Sequence, residues 1–375
     1  EEKKIVQALD RRMLPLFCVF YFTDYLDRAN IGNAALEGIQ EDLKLSPSQL
    51  GTAISAFYIT YILFEVPSNV VLKQTSAVIW LSTIMLAWGA ITLAMGFITS
   101  FGGLMAARLL LGAAESGYIP GILYQMSRVY KPRELSSRVA FLLCMAFLSG
   151  IVSGPIAYGT SFLEGRNGLH GWQYLFILEG VPTIVLSIVS YFCLFDSIDQ
   201  VSWLTPEQKR LQHQRMEEVA AQHGPTTIGL ATFRAALGDW KTWLFSIVYM
   251  LNAVNFSSFS IFLPVIIDGF GFSVLTSQLM TAPPNIVSVI MVIVGGYIVD
   301  KYNRRAVILA TGFSVMALGY FLLYILRDRW ALYGALFVLP MGMALQASTV
   351  VSWSAINFPD LPVRAVAVAV VVMIG

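Results

Sequence analysis

The sequence predicts an all-α membrane protein built as two six-helix bundles, the second incomplete. Three observations carry that prediction. The 375 residues are 57% hydrophobic and only 13% charged, whereas soluble chains carry about 25% charged residues, and the mean hydropathy is +0.68. Apolar stretches of about 20 residues, the length that crosses a bilayer as a helix, recur from end to end. One long polar segment, Asp196 to Asp239, divides them into six before it and about four and a half after it.

The first span runs from about Met13 to Asn33, behind a charged amphipathic lead, Glu1 to Arg12, and ahead of an acidic loop (Glu37, Glu41, Asp42). Further spans lie near 50–72, 78–98, 102–126, 137–160 and 173–195. Within the polar segment, Thr205-Pro206-Glu207-Gln208 supplies a capping threonine, a first-turn proline and a glutamine at the capping-box position. A polar helix to about Gln222 is therefore expected, solvated between the bundles. Spans resume near 241–266, 275–299, 306–326 and 331–355. The last stretch, Val363 to Gly375, alternates Ala and Val, but a lone strand in lipid would leave its backbone groups unpaired, so a helix is expected. It is too short to cross about 30 Å at 1.5 Å per residue. The chain, which does not begin with Met, is thus expected to be a fragment that stops inside a span. The expected organisation is a first bundle over 1–195, a cytoplasmic linker with its polar helix over 196–239, and an incomplete second bundle over 240–375.

Other classes fall on the same numbers. A net charge of +1 without a basic run argues against nucleic acid as a partner. The three cysteines, Cys18, Cys144 and Cys193, lie in apolar stretches with no CxxC pair, which excludes a disulfide framework or a thiolate metal site. No HExxH motif or nucleophile–base pair points to an enzyme, and no cofactor or metal is expected. No cleavable signal peptide is apparent, because the first apolar stretch is of full length. With the N-terminus inside, 18 of the 24 Lys and Arg fall in inner segments and four in outer loops (Lys44, Arg166, Arg327, Arg329). That is a strong positive-inside bias and sets a cytoplasmic N-terminus.

Two basic residues, Arg28 and Arg108, remain within the membrane. A charge at mid-bilayer costs roughly 2.5–3.5 kcal/mol on insertion scales, so such groups face a cavity or a partner. Seven are present: Asp24, Asp27 and Arg28 in the first span, Glu65 in the second, Arg108 and Glu115 in the fourth, and Glu179 in the sixth. All lie in the first half. The second half offers neutral polar groups: Asn252, Asn255, Ser257, Ser258, Asn285, Gln346, Ser348, Thr349 and Ser352. Asp24 and Arg28, four apart, can pair on one helix face, while Asp27 points about 100° from Arg28. Arg108 and Glu115, seven apart, share a face. Counting residues from the span ends puts Arg28 and Arg108 both roughly 21–22 Å above the inner face, where two cations could clamp an anion. A closed ion-pair network is the competing reading, although desolvation can exceed its Coulomb gain. Five acids against two bases would also suit a cationic substrate. For an anion to bind, some carboxylates must be paired or protonated, and a carboxyl removed from water holds its proton more tightly. None of the three histidines lies in a membrane span, so any proton carrier is an acid.

These residues sit in recognisable motifs. Tyr25-Leu26-Asp27-Arg28-Ala29-Asn30-Ile31-Gly32-Asn33-Ala34 resembles the first-helix motif of the anion:cation symporter branch of the major facilitator superfamily, and is similar to that of the fungal allantoate and vitamin permeases. Arg108-Leu109-Leu110-Leu111-Gly112-Ala113-Ala114-Glu115-Ser116-Gly117 with Pro120-Gly121 resembles the fourth-helix motif, and Gly150 to Gly159 with Gly154-Pro155 the fifth. Phe176 to Pro182, including Glu179, resembles the sixth-helix signature, and Trp203-Leu204-Thr205 a short motif after the first bundle. Departures exist: Lys73-Gln74-Thr75-Ser76-Ala77 keeps one charge where the superfamily loop carries Asp and paired basics, and Gln173 replaces a common arginine. The superfamily has 12 helices, and about 10.5 are expected here.

The resemblance implies a major facilitator fold and a multi-pass protein, with the plasma membrane its expected place. It implies proton-coupled symport of a small organic anion, a carboxylate such as a vitamin or an allantoate-type compound, by alternating access. Asp27 and Glu115 match proton-coupling positions, joined by Asp24. Arg28 and Arg108 match basic positions near the anion, and Tyr61 a cavity tyrosine or an ordinary packing aromatic. Glu179, Gly154, Pro155, Asp300, Arg304 and Arg305 are expected in structural or gating roles. For Asn255, Gln346 and Ser352 only depth and polarity speak, and helix–helix hydrogen bonding stands beside substrate contact. The expected partners are the organic anion, protons and the lipid bilayer, for a chain acting as a monomer. A facilitator or cation/proton exchanger, and a nutrient sensor without turnover, are the competing readings.

Overall fold

The computed structural model describes residues 1–223, 230–302, 304–358 and 361–374, with some helical side chains, those of Asp300, Ser348 and Ser352 among them, outside the description. Among the described residues the structure is helical, without strands. The chain divides into two compact units, 1–221 and 222–375.

The first unit opens with α1 (Glu2–Arg12) and α2 (Leu14–Leu36), followed by the short α3 (Ile39–Asp42). Then come α4 (Pro47–Gln74), α5 (Ala77–Met95), α6 (Phe101–Glu115), α7 (Tyr118–Val129), α8 (Pro132–Ser161), α9 (Gly171–Cys193) and α10 (Pro206–His223). Local chemistry starts several of them. Ser46 accepts from the Gln49 amide and Gln49 returns to the Ser46 amide, a capping box ahead of Pro47. Thr205 and Gln208 form the same box at the head of α10, as their spacing predicts. Ser76 and Ser100 cap α5 and α6. Each such bond satisfies a backbone donor that the helix leaves free.

The second unit holds α11 (Leu230–Gly238), α12 (Trp240–Gly269), α13 (Val274–Leu279), α14 (Ala282–Tyr302), α15 (Arg305–Ile325), α16 (Arg329–Ile356) and α17 (Leu361–Ile374). The two units share a packing order. In the first, α2 packs on α8 and α4 on α6, the first span on the fifth and the second on the fourth. In the second, α12 packs on α17 and α14 on α16, again first on fifth and second on fourth. A repeated helical unit produces this pairing, as in transporters built from internal repeats.

Seven of the described helices are long and apolar enough to cross a membrane, by length and composition. They bury only 28–50% of their span inside the protein, and side chains such as Phe192 and Tyr324 stand 77% and 79% exposed. Lipid, not protein, covers such surface. Helix α2 has the length of a span, 23 residues, and owes its lower apolarity to Asp24, Asp27 and Arg28.

Two expectations change. The fourth span is not one helix but α6 and α7, broken at Ser116 and Gly117. Pro120 lacks the N–H that would bond the Ser116 carbonyl, and its ring crowds that carbonyl. Helix α10 is not simply solvated either: Gln212 and Arg215 are buried. Arg215 donates to Glu134 at 2.5 Å and meets Glu2 at 3.3 Å, and the Gln212 amide donates to the Val129 carbonyl at 2.8 Å. The polar face that composition alone assigns to water instead docks α10 on α1, α7 and the start of α8. Asp10 and Arg138 add a two-pronged ion pair, both contacts 2.6 Å, between α1 and α8.

Candidate functional site

Close helix packing places the charged residues of the first unit together. A Cβ at Gly112 would overlap the Phe57 carbonyl, and one at Gly180 would lie 2.6 Å from the Leu93 nitrogen. Glycine at these two points lets α6 lie against α4 and α9 against α5. Asp24, Asp27, Arg108, Glu115 and Glu179 are then all buried, each less than 5% exposed.

The two arginines lie beside one ring. The Arg28 guanidinium carbon is 5.6 Å from the Phe57 centroid and that of Arg108 is 4.8 Å from it. The equal depths counted along the two spans thus correspond to real proximity. Their surroundings differ sharply. Arg28 pairs with Asp24 at 3.0 Å and with Glu115 at 3.0 Å, and the rings of Tyr61 and Tyr25 stand 4.8 and 5.1 Å from it. Arg108, 1% exposed, has no carboxylate within ion-pair distance among the described residues, and its Nε has no hydrogen-bond partner there. Glu115 shares a helix with Arg108, yet turns to Arg28. An unpaired buried guanidinium is costly, and it presents a planar fork of donors suited to a carboxylate.

Asp27 faces away from Arg28, as its helical position requires. Its Oδ2 accepts from the Trp88 indole N–H at 2.6 Å. The Asn30 side-chain amide donates to Glu179 Oε2. Glu65 is partly exposed and forms no ion pair among the described residues. The Tyr61 ring stands by Arg28 and also packs against Phe57, their centroids 5.8 Å apart. Gly154 and Pro155 lie within the unbroken α8, Gly154 buried and Pro155 exposed.

Asn252, Asn255 and Gln346 of the second unit form neutral pairs. Asn252 donates to Gln346 Oε1 at 3.0 Å, linking α12 to α16, and Tyr320 donates to Asn255 Oδ1 at 2.5 Å, linking α12 to α15. The Gln346 amide nitrogen, buried, has no partner among the described residues. Arg304 is exposed and Arg305 partly buried, with no ion pair for either among the described residues. The side chains of Asp300 and Ser352 lie outside the described residues.

Phe57, Trp88 and Thr183 belong to the site but stand outside the charge pattern of the sequence. Phe57 is one of 24 phenylalanines and carried no local mark. Trp88 offered one, an indole N–H in the middle of an apolar span, which needs an acceptor when buried. Asn30 was within reach too, one helical turn from Asp27 in the same motif.

Comparison with known proteins agrees with this architecture. The family profile described as Major Facilitator Superfamily matches residues 17–375. An uncharacterized transporter of Schizosaccharomyces pombe is 32% identical over 98% of this chain and 74% of its own length. The MFS transporter prlL of a fungal species is 31% identical over 100% of this chain and 77% of its own. A bacterial homolog of the human lysosomal transporter Spinster, in an inward-facing and unoccupied conformation, has the same fold with a TM-score of 0.74. It is 17% identical over 96% of this chain and 78% of that one. The chain is thus an integral, multi-pass membrane protein and a member of the Major Facilitator Superfamily, a family of small-molecule transporters rather than enzymes.

Proposed function

We propose that this protein is a proton-coupled symporter of a small organic anion, a carboxylate such as a vitamin or an allantoate-type compound. The observation that carries the reading is Arg108: a fully buried guanidinium with no carboxylate within ion-pair distance among the described residues, beside an Arg28 already paired with two carboxylates. An anion that docks on Arg108 supplies the missing charge. Protons enter by charge accounting. Five acids (Asp24, Asp27, Glu65, Glu115, Glu179) accompany two arginines, so an arriving anion adds to a negative surplus unless protons offset it. Asp27 and Glu115, with Asp24, are the carriers in this reading. When Glu115 is protonated, Arg28 loses one partner and joins Arg108 in holding the anion. Loss of the proton restores the Arg28–Glu115 pair and releases it. The motifs of the anion:cation symporter branch support the same assignment.

The chain works as a monomer by alternating access of its two bundles, with the N-terminus in the cytosol and the plasma membrane as its site. The test is uptake of labelled carboxylates by proteoliposomes with and without an inwardly directed proton gradient. Accumulation above equilibrium only with the gradient is the expected result. Uptake that equilibrates equally in both cases makes the protein a facilitator. A second reading, cation/proton exchange, is favoured by the surplus of carboxylates, and predicts that organic cations rather than anions compete for uptake.

A further inference from the structure

We infer that Asp27 and Glu179 hold a single proton between them as one carboxyl–carboxylate pair, and that Glu179 is part of the proton site rather than only a structural residue. The starting observation is contact. The two side chains, from α2 and α9, are neighbours: Asn30, one turn along α2 from Asp27, donates to Glu179 Oε2, and both carboxyls are buried, 2% and 4% exposed. Two ionised carboxylates do not share a buried contact, because like charges a few ångströms apart cannot both persist.

Hydrogen counting leads to the same place. The four oxygens of the pair have two donors among the described residues: Trp88 Nε1 serves Asp27 Oδ2, and the Asn30 amide serves Glu179 Oε2. Asp27 Oδ1 and Glu179 Oε1 are buried and have none. The Thr183 hydroxyl lies beside Asp27, yet its one hydrogen goes to the Glu179 carbonyl at 2.8 Å. No cation stands within ion-pair distance of either carboxyl among the described residues, since Arg28 is engaged by Asp24 and Glu115. The other charged groups that act on the pair, Asp24 from α2 and Glu115 from α6, are acidic, while α5 contributes only the neutral Trp88. One proton between the orphaned oxygens satisfies both and lowers the charge of the pair from two negatives to one. Its role in coupling rests on the symport reading above; the presence of the proton does not.

The test uses the full chain reconstituted in lipid and reads the carbonyl stretch of protonated carboxyls by infrared spectroscopy at neutral pH. The wild type is expected to show a deuterium-sensitive band that both Asp27→Asn and Glu179→Gln abolish. With an amide as neighbour the remaining carboxyl accepts its N–H and has no need of the proton, so the double variant loses no more than either single one. Should one variant fail to reconstitute, the other carries the same test. A band that survives in either variant, or is missing from the wild type, overturns the inference. If the band behaves as expected but wild-type uptake ignores a proton gradient, the pair stands and the symport reading falls. If uptake is gradient-driven and Glu179→Gln accumulates substrate as the wild type does, the role of the pair in coupling is overturned.

Discussion

The two units repeat one packing order but fill it with different chemistry. The interior of the first is charged: Asp24, Asp27, Arg28, Arg108, Glu115 and Glu179 meet on adjacent faces of α2, α6 and α9. In the second, the described interior holds an apolar cluster of Phe259, Leu263, Ile267, Met316, Leu336, Leu339 and Met343, together with amide and hydroxyl pairs. Neutral pairs such as Asn252–Gln346 hold helices together at little desolvation cost. Buried charges do so poorly, because the cost of removing them from water offsets most of their attraction. A charged interior in one unit and a neutral one in the other, on the same packing order, therefore marks where chemistry, not stability, decides the residues.

Several measurements break or sharpen that contrast. The largest effect is expected from Arg108→Gln. Losing the buried cation costs an anion roughly 2–5 kcal/mol, and each 1.4 kcal/mol is tenfold, so initial uptake rates fall about 100-fold. The melting temperature does not fall, since no ion pair is broken. Unchanged uptake would mean that the difference between the two arginines has no function.

Next comes Glu115→Gln, which removes one of the two partners of Arg28. Hydrogen bonds to charged groups are worth about 1.5–3 kcal/mol, so thermal stability drops by an amount of that order, together with accumulation against a gradient. A melting temperature equal to the wild type's would make the Arg28–Glu115 pair incidental.

Gln346→Leu in the second unit is expected to cost only about 0.6 kcal/mol, the scale of interhelical hydrogen bonds in lipid, with uptake close to normal. If uptake collapses while the melt is unmoved, the neutral unit bears substrate chemistry as well. The smallest effect lies at the surface. Hydrogen bonds from His213 and Ser197 hold the exposed Asp199 carboxyl below the usual carboxylate range. A carboxyl whose folded value is depressed stabilises above its unfolded value and stops doing so as pH falls through the folded one. Asp199→Asn is thus expected to melt slightly below the wild type at neutral pH, with the difference vanishing in acid. A gap that persists in acid would show that charge is not its origin.

Much of this was legible in the sequence because membrane helices announce themselves locally. Apolar length, the capping box at Thr205 and Gln208, and the pairing of Asp24 with Arg28 need only helix geometry and neighbouring residues. The depth count that sets Arg28 level with Arg108 likewise needs only a fixed rise per residue, and the two guanidiniums do share the Phe57 ring. The break at Ser116 and Gly117 was also written locally, in Pro120, but was masked by the hydrophobic run around it. The docking of α10 through Gln212 and Arg215 was hidden, since a polar helix meeting polar partners looks the same in sequence as one meeting water.

By itself, then, the sequence determined the class, most of the helices and the set of membrane charges, because each follows from composition or from spacing within one helix. Only the tertiary structure decided the partners. Glu115 lies on the helix of Arg108 but pairs with Arg28, Arg108 is left without a carboxylate at ion-pair distance among the described residues, and Glu179 of α9 accepts from Asn30 of α2. Those contacts depend on how the helices of the unit are assembled, with Gly112 seating α6 on α4 and Gly180 seating α9 on α5. Electrostatic energy between buried groups changes within a few ångströms, a scale that spacing along a single helix does not fix across the gap to the next.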